Sequence, residues 1–133
     1  MIVYGTGYSP YVRKILVALA EKGVPYEHVP CMFHAPDAAF QAASPLGKIP
    51  AIDDDGFKLS ESMAINLYLA KKHGKLQPAT PQSEAKAIQW SFWAAHEVDR
   101  QVVQWVINTT SLPVEQRNVK AAFAAREELE WPL

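Results

Sequence analysis

The stretch MIVYGTGYSPYVRKILVALAEKGVPYEHV, Met1 to Val29, decides the fold. Ile2-Val3-Tyr4 is β-branched and aromatic, and reads as a strand. Gly5 and Gly7 break it. Ser9 then stands directly before Pro10, the pairing of an N-cap residue with proline at the first helical position. From Pro10 to Lys22 the apolar residues Val12, Ile15, Leu16, Leu19 and Ala20 recur at helical spacing, and Gly23 ends the helix. Val24 to Val29 fits a second strand, with Pro25 at its start or on an edge. Strand, helix and strand in this order favour a parallel pair joined by a right-handed crossover.

The next segment, PCMFHAPDAAFQAASPLGK, is rich in loop residues, with one short helix expected around 37–43. Pro50 to Ile52 and Phe57 to Leu59 read as two more strands, and the DDDG turn between them makes a hairpin. Glu61 to Lys72 is a helix with lysines at its C-terminal end and Gly74 just beyond. The first region is therefore an α/β domain in the order βαβ–ββα, with a mixed four-stranded sheet, over residues 1–75. HGKLQPATP, from His73 to Pro81, reads as a linker. Thr80 caps a long helix expected from Pro81 to Asn108, and Ser111-Leu112-Pro113 opens another that runs to the end without a clear cap. Residues 76–133 are thus a partial all-α C-terminal domain, a helical hairpin.

The chain has 133 residues, 49% of them hydrophobic, which allows one core or one small domain with a helical appendage. Its 13 basic and 14 acidic residues are mixed along the chain, so no basic patch points to nucleic acid. No apolar run approaches the roughly 20 residues of a membrane span. MIVYG lacks the basic residues of a leader. The single cysteine, Cys31, excludes an internal disulfide framework and suits a reducing, cytoplasmic setting. Cys31 has no CxxC partner and does not sit at a helix start, so it reads as a partly buried bystander. Asp53-Asp54-Asp55-Gly56 lacks the alternating ligands of a calcium loop and reads as a turn. The histidines lack metal-ligand spacing, and no metal is expected.

Three stretches carry chemistry when taken together: Ser9-Pro10, SPLGKIPAI from Ser44 to Ile52, and LSESMAI from Leu59 to Ile65. A hydroxyl at the positive end of a helix can cap that helix or stabilise a thiolate. Free N–H groups at the start of the later helix can receive a carboxylate, and Glu61 can pair with an ammonium. One dipeptide, Glu61-Ser62, can thus read both charges of a zwitterion.

In this order and at these spacings, the three stretches resemble the cytosolic glutathione transferases. The resemblance covers Met1 to about Gly74, and continues more loosely to about Asn108. It lies nearest the serine-type classes: phi, tau, zeta and beta. It implies a thioredoxin-like N-terminal domain that binds glutathione as co-substrate, followed by an all-helical domain.

On this resemblance Ser9 is the catalytic residue, donating its hydroxyl to the glutathione thiolate. The Ile49–Pro50 bond is expected to be cis, turning the backbone of Ile49 outward like a strand edge to which an extended tripeptide can add. Glu61 and Ser62 take the γ-glutamyl end. Lys48 and His34 are candidates for the glycine carboxylate. The residue after His34 is Ala35, where such relatives often carry lysine. Arg13 and Tyr8 are candidate supporting residues, and Tyr8 ranks second to Ser9 as a thiol activator. The implied activity is attack of the thiolate on a hydrophobic electrophile, a detoxification chemistry, in a cytoplasmic homodimer.

Other readings on the same fold stay open. These are a non-catalytic glutathione-binding or protein-interaction module, and a glutathione-dependent isomerase or peroxidase. Family members run to about 200 residues or more, so the chain reads as either a truncated product or a natural short form. That leaves the second-substrate pocket open as well.

Overall fold

A computed structural model describes residues 1–130. Trp131, Pro132 and Leu133, where the last helix was expected to run out uncapped, lie outside the described residues. The chain forms two compact units, one spanning Met1–Gln77 and one from Pro78 onward.

The first unit is built on β1 (Ile2–Tyr4), α1 (Pro10–Lys22), β2 (Glu27–Val29), α2 (Ala38–Ala43), β3 (Ala51–Asp54), β4 (Phe57–Ser60) and α3 (Ser62–His73). The sheet order is β2-β1-β3-β4, with β1 and β2 parallel and the other two pairs antiparallel. This is the mixed sheet expected from the order of elements, and the thioredoxin-like arrangement that the family resemblance implies.

Helix α1 begins under Ser9 and ends at Gly23, whose φ of 68° is left-handed. The N–H groups of Gly23 and Val24 return to the carbonyls of Ala20 and Leu19. That is a Schellman ending. It consumes the Val24 N–H, and Pro25 has none, so β2 starts at Glu27 rather than at Val24 as expected. Strand β3 likewise starts at Ala51, one residue after the expected Pro50, and runs on to Asp54. The hairpin turns at Asp55 and Gly56, both at positive φ (53° and 94°), the geometry of a two-residue turn of the primed type.

Val3 and Ile52 are fully buried with Ile15 and Leu19 of α1 and Ile65 and Leu69 of α3. The two helices thus cover one face of the sheet. Phe40 and Ala43 of α2 pack with Tyr4 and Ala51 on the other. Alternation along β1 accounts for this, because adjacent strand residues face opposite sides. Buried Asp54 accepts from the Tyr68 hydroxyl at 2.6 Å and is paired with Lys72, which fastens α3 to the hairpin.

In the second unit α4 (Pro81–Trp93) starts with a reciprocal cap between Thr80 and Ser83. The expected continuous helix to Asn108 is instead α4, a π turn (Ala94–Val98), α5 (Asp99–Val106) and a second π turn (Ile107–Ser111). A wide turn takes up one extra residue, a change that averaged apolar spacing does not reveal. Leu112 and Pro113 are extended, so no helix opens there; a single 3-10 turn follows at Val114–Gln116. Proline biases its predecessor toward extended backbone. Helix α6 (Val119–Leu129) starts later, under Asn118, whose side chain accepts from the Ala121 N–H at 2.9 Å. Asn118 in turn donates its N–H to buried Asn108. Among the described residues, no helix is long and apolar enough to cross a membrane.

Candidate functional site

One transverse row of the sheet organises the site. Tyr4 pairs with Val29 on one side and Ala51 on the other, and Ala51 pairs with Ser60. The chain leaves β1 and β4 at this row toward Ser9 and Glu61, and enters β3 from Ile49-Pro50. The three separated stretches therefore meet at one end of the sheet.

Ser9 is half-buried and extended (φ −72°, ψ 126°), and its Oγ accepts from the Val12 N–H at 3.4 Å. In that bond the oxygen is the acceptor, so the hydroxyl proton remains a donor for a second group. Gly5, at φ 139°, lies against the start of α1. A β-carbon there would sit 2.5 Å from Val12 Cγ2 and 3.1 Å from Ile49 Cβ. Only glycine permits both the backbone angle and this approach. The Ile49–Pro50 peptide bond is cis. Ile49 is half-buried and Pro50 buried.

Glu61 sits at the start of α3 with φ 72° and ψ 111°, and its side chain makes no cap bond to the helix. Positive φ at a non-glycine residue costs about 1–3 kcal/mol and recurs where a ligand is held. The Glu61 side chain is exposed, while Ser62 beside it is buried.

His34 and the SPLGK loop are drawn together. The His34 N–H donates to the Gly47 carbonyl at 2.6 Å, and the His34 ring lies over Gly47, where a β-carbon would collide with it. Lys48 follows directly and is exposed; its carbonyl accepts from the buried Ser44 hydroxyl at 2.7 Å. Tyr8 is 91% exposed, with its N–H on Thr6 Oγ1. Arg13 is exposed on α1, and its N–H donates to the Ser9 carbonyl. Burial and the neighbouring Asp37 carboxylate push the Cys31 thiol up, which keeps it protonated and unreactive near neutrality.

Sequence reading missed Ser44 and His28. The first carries a signal, its place inside SPLGKIP. His28 Nε2 stands 2.7 Å from the Gly5 carbonyl, a contact across two strands that no local pattern announces. Among the described residues, no three His, Cys, Asp or Glu side chains gather as metal ligands would.

The family model described as glutathione S-transferase, N-terminal domain, matches residues 3–81. A glutathione S-transferase of Arabidopsis thaliana is 30% identical over 98% of this chain and 63% of its own. Elongation factor 1-gamma of Danio rerio is 42% identical over 69% of this chain and 20% of its own. The glutathione-bound crystal structure of a theta class glutathione S-transferase from Xanthomonas axonopodis pv. citri aligns with a TM-score of 0.86. Its identity is 26%, over 96% of this chain and 64% of that one. The chain thus spans less than two thirds of the length of these relatives. A matched model over more than half of the residues, and a fold shared over nearly all of them, lead to one assignment: the chain belongs to the glutathione S-transferase family.

Proposed function

We propose that this chain binds glutathione and activates its thiol as a thiolate for attack on an electrophilic small molecule. The observation that carries the reading is the row Val29–Tyr4–Ala51–Ser60, because it brings Ser9, Ile49-Pro50 and Glu61-Ser62 to one end of the sheet. On this reading residues 1–75 are the glutathione domain and 76–133 a partial all-helical one.

Ser9 donates its hydroxyl to the sulfur. The backbone of Ile49 holds the cysteinyl portion by strand-type pairing. Ser62 and the N–H groups opening α3 take the γ-glutamyl carboxylate, and the Glu61 carboxylate takes the ammonium. Lys48 and His34 face the glycine carboxylate, with Arg13 and Tyr8 in support. The glutathione-bound structure of the Xanthomonas axonopodis relative supports glutathione itself as the ligand. A hydrophobic electrophile in a detoxification reaction and a homodimeric, cytoplasmic form belong to the same proposal. Exposed Trp90, Phe92 and Phe123 supply apolar surface for pairing.

Calorimetry with glutathione, paired with a turnover assay on a halonitroarene, tests the reading. Binding with turnover is expected. Binding without turnover would move the chain to a second reading, a non-catalytic glutathione-binding or interaction module. The similarity to a protein named as an elongation factor favours keeping that alternative. No binding would refute both.

A further inference from the structure

We infer that His28 is a positioning residue for Ser9. The inference rests on the role of Ser9 proposed above and adds a side chain from a different strand.

The β1–β2 ladder ends at the pair Tyr4–Val29. Gly5 lies one residue beyond it, yet both of its backbone groups are tied to β2. Its N–H donates to the Val29 carbonyl at 3.1 Å. Its carbonyl faces His28 Nε2 at 2.7 Å. A carbonyl can only accept, so His28 holds its proton on Nε2 and donates it.

That bond matters because of where it acts. The Gly5 carbonyl belongs to the Gly5–Thr6 peptide plane, the first plane of the Ser9 loop. Glycine leaves its own torsions freer than any other residue does. The side of Gly5 that faces Val12 and Ile49 is closed by contact. Rotation of the following peptide is opposed by His28.

From Thr6 onward the loop is held locally. Tyr8 N–H reaches Thr6 Oγ1 at 3.4 Å, and Ser9 N–H reaches the Thr6 carbonyl at 3.1 Å. Thr6 is therefore the residue on which Ser9 hangs, and the orientation of Thr6 is set by the peptide that His28 grips. Losing the grip lets the Ser9 hydroxyl drift from the sulfur without removing any group that touches glutathione.

The test compares His28→Leu and His28→Gln with wild type in the full chain. The bound glutathione thiol is titrated by its ultraviolet thiolate absorbance, and kcat and KM are measured with a halonitroarene. For His28→Leu we expect the thiol pKa to rise by about half a unit to one unit. We also expect kcat to fall about tenfold, with little change in the KM for glutathione. His28→Gln keeps an N–H near the place of Nε2 and should recover most of the lost kcat. A Leu variant that titrates like wild type, or a Gln variant no better than Leu, overturns the inference.

Should the Leu variant not fold, nitrogen NMR of the wild-type imidazole decides. A protected Nε2–H supports the bond, and an Nδ1–H tautomer overturns it. A wild type that gives no thiolate signal overturns the Ser9 proposal and this one together. A normal wild type with an unaltered Leu variant removes His28 alone.

Discussion

Replacing Ser9 with alanine separates its two roles by magnitude. As a cap, the Ser9 oxygen accepts from Val12 at 3.4 Å, beyond the usual range of about 2.7–3.2 Å. Its loss should cost near the low end of measured caps, about 0.5 kcal/mol. As a donor to a thiolate, the same hydroxyl is worth about 1.5–3 kcal/mol. That corresponds to a rise of about 1–2 units in the pKa of the bound thiol. A free thiol titrates near about 8.5. If the site lowers it by about two units, the wild-type complex titrates near about 6.5 and the variant near about 7.5–8.5. At a pH of about 6.5 the thiolate fraction then falls from about a half to between about a tenth and about a hundredth. The rate should drop roughly fivefold to fiftyfold there, and the gap should close above a pH of about 9.

The assay is the pH profile of kcat/KM for the electrophile at saturating glutathione, which reads the bound thiol, beside a urea melt of each protein. A Ser9→Ala profile that superimposes on wild type would refute the donor role. A large stability loss with no pKa change would return Ser9 to being a cap alone.

Two further perturbations test the same frame. Glu61→Gly relieves the positive φ of a residue whose side chain does not cap its helix, so denaturant melts should show a gain of about 1 kcal/mol. Glutathione affinity should fall at least about tenfold, since a charge-assisted bond is lost; unchanged affinity would remove Glu61 from the site. Asp54 gives a sign for acid stability. Burial works to raise its pKa, but the hydrogen bonds from Lys72 and Tyr68 outweigh it and hold the carboxyl below its ordinary value. The unfolded chain then binds the proton at higher pH than the folded one. The stabilisation is complete above the unfolded value of about 3.9 and is lost as pH falls through the folded one. Urea midpoints measured against pH should show a shallower acid limb in Asp54→Asn, and equal limbs would exclude the effect.

Where local signals agree with tertiary packing, the sequence is legible. Ser9-Pro10 and Gly23 bound α1 as read, because a cap, a fixed φ and a left-handed stop act within one turn. Thr80-Pro81 opens α4 for the same reason. Strand β2 is shorter than read because the α1 ending claims the Val24 N–H, a bond that strand propensity does not count. The two π turns are invisible to apolar spacing. Asn118 is a strong cap type, but its use was decided by the extended backbone at Leu112-Pro113 and by the tie to Asn108.

The candidate site divides in the same way. Ser9, GKIP and ESMAI are legible as motifs, and their order carried the family. Nothing in any one of them states that they meet. Strand register does that, by putting Tyr4, Ala51 and Ser60 in one row. The tie from His28 to Gly5, the fold of His34 over Gly47 and the positive φ of Glu61 are likewise products of tertiary structure.

The physical reason is range. Caps, turns and helix periodicity act over a few residues and are written locally. Hydrogen bonds between residues 23 apart, or between strands brought together by a crossover, exist only after the sheet has closed. The sequence by itself determined which groups are available, a hydroxyl at one helix start and a Glu-Ser pair at another. The tertiary structure decided that they share one end of one sheet.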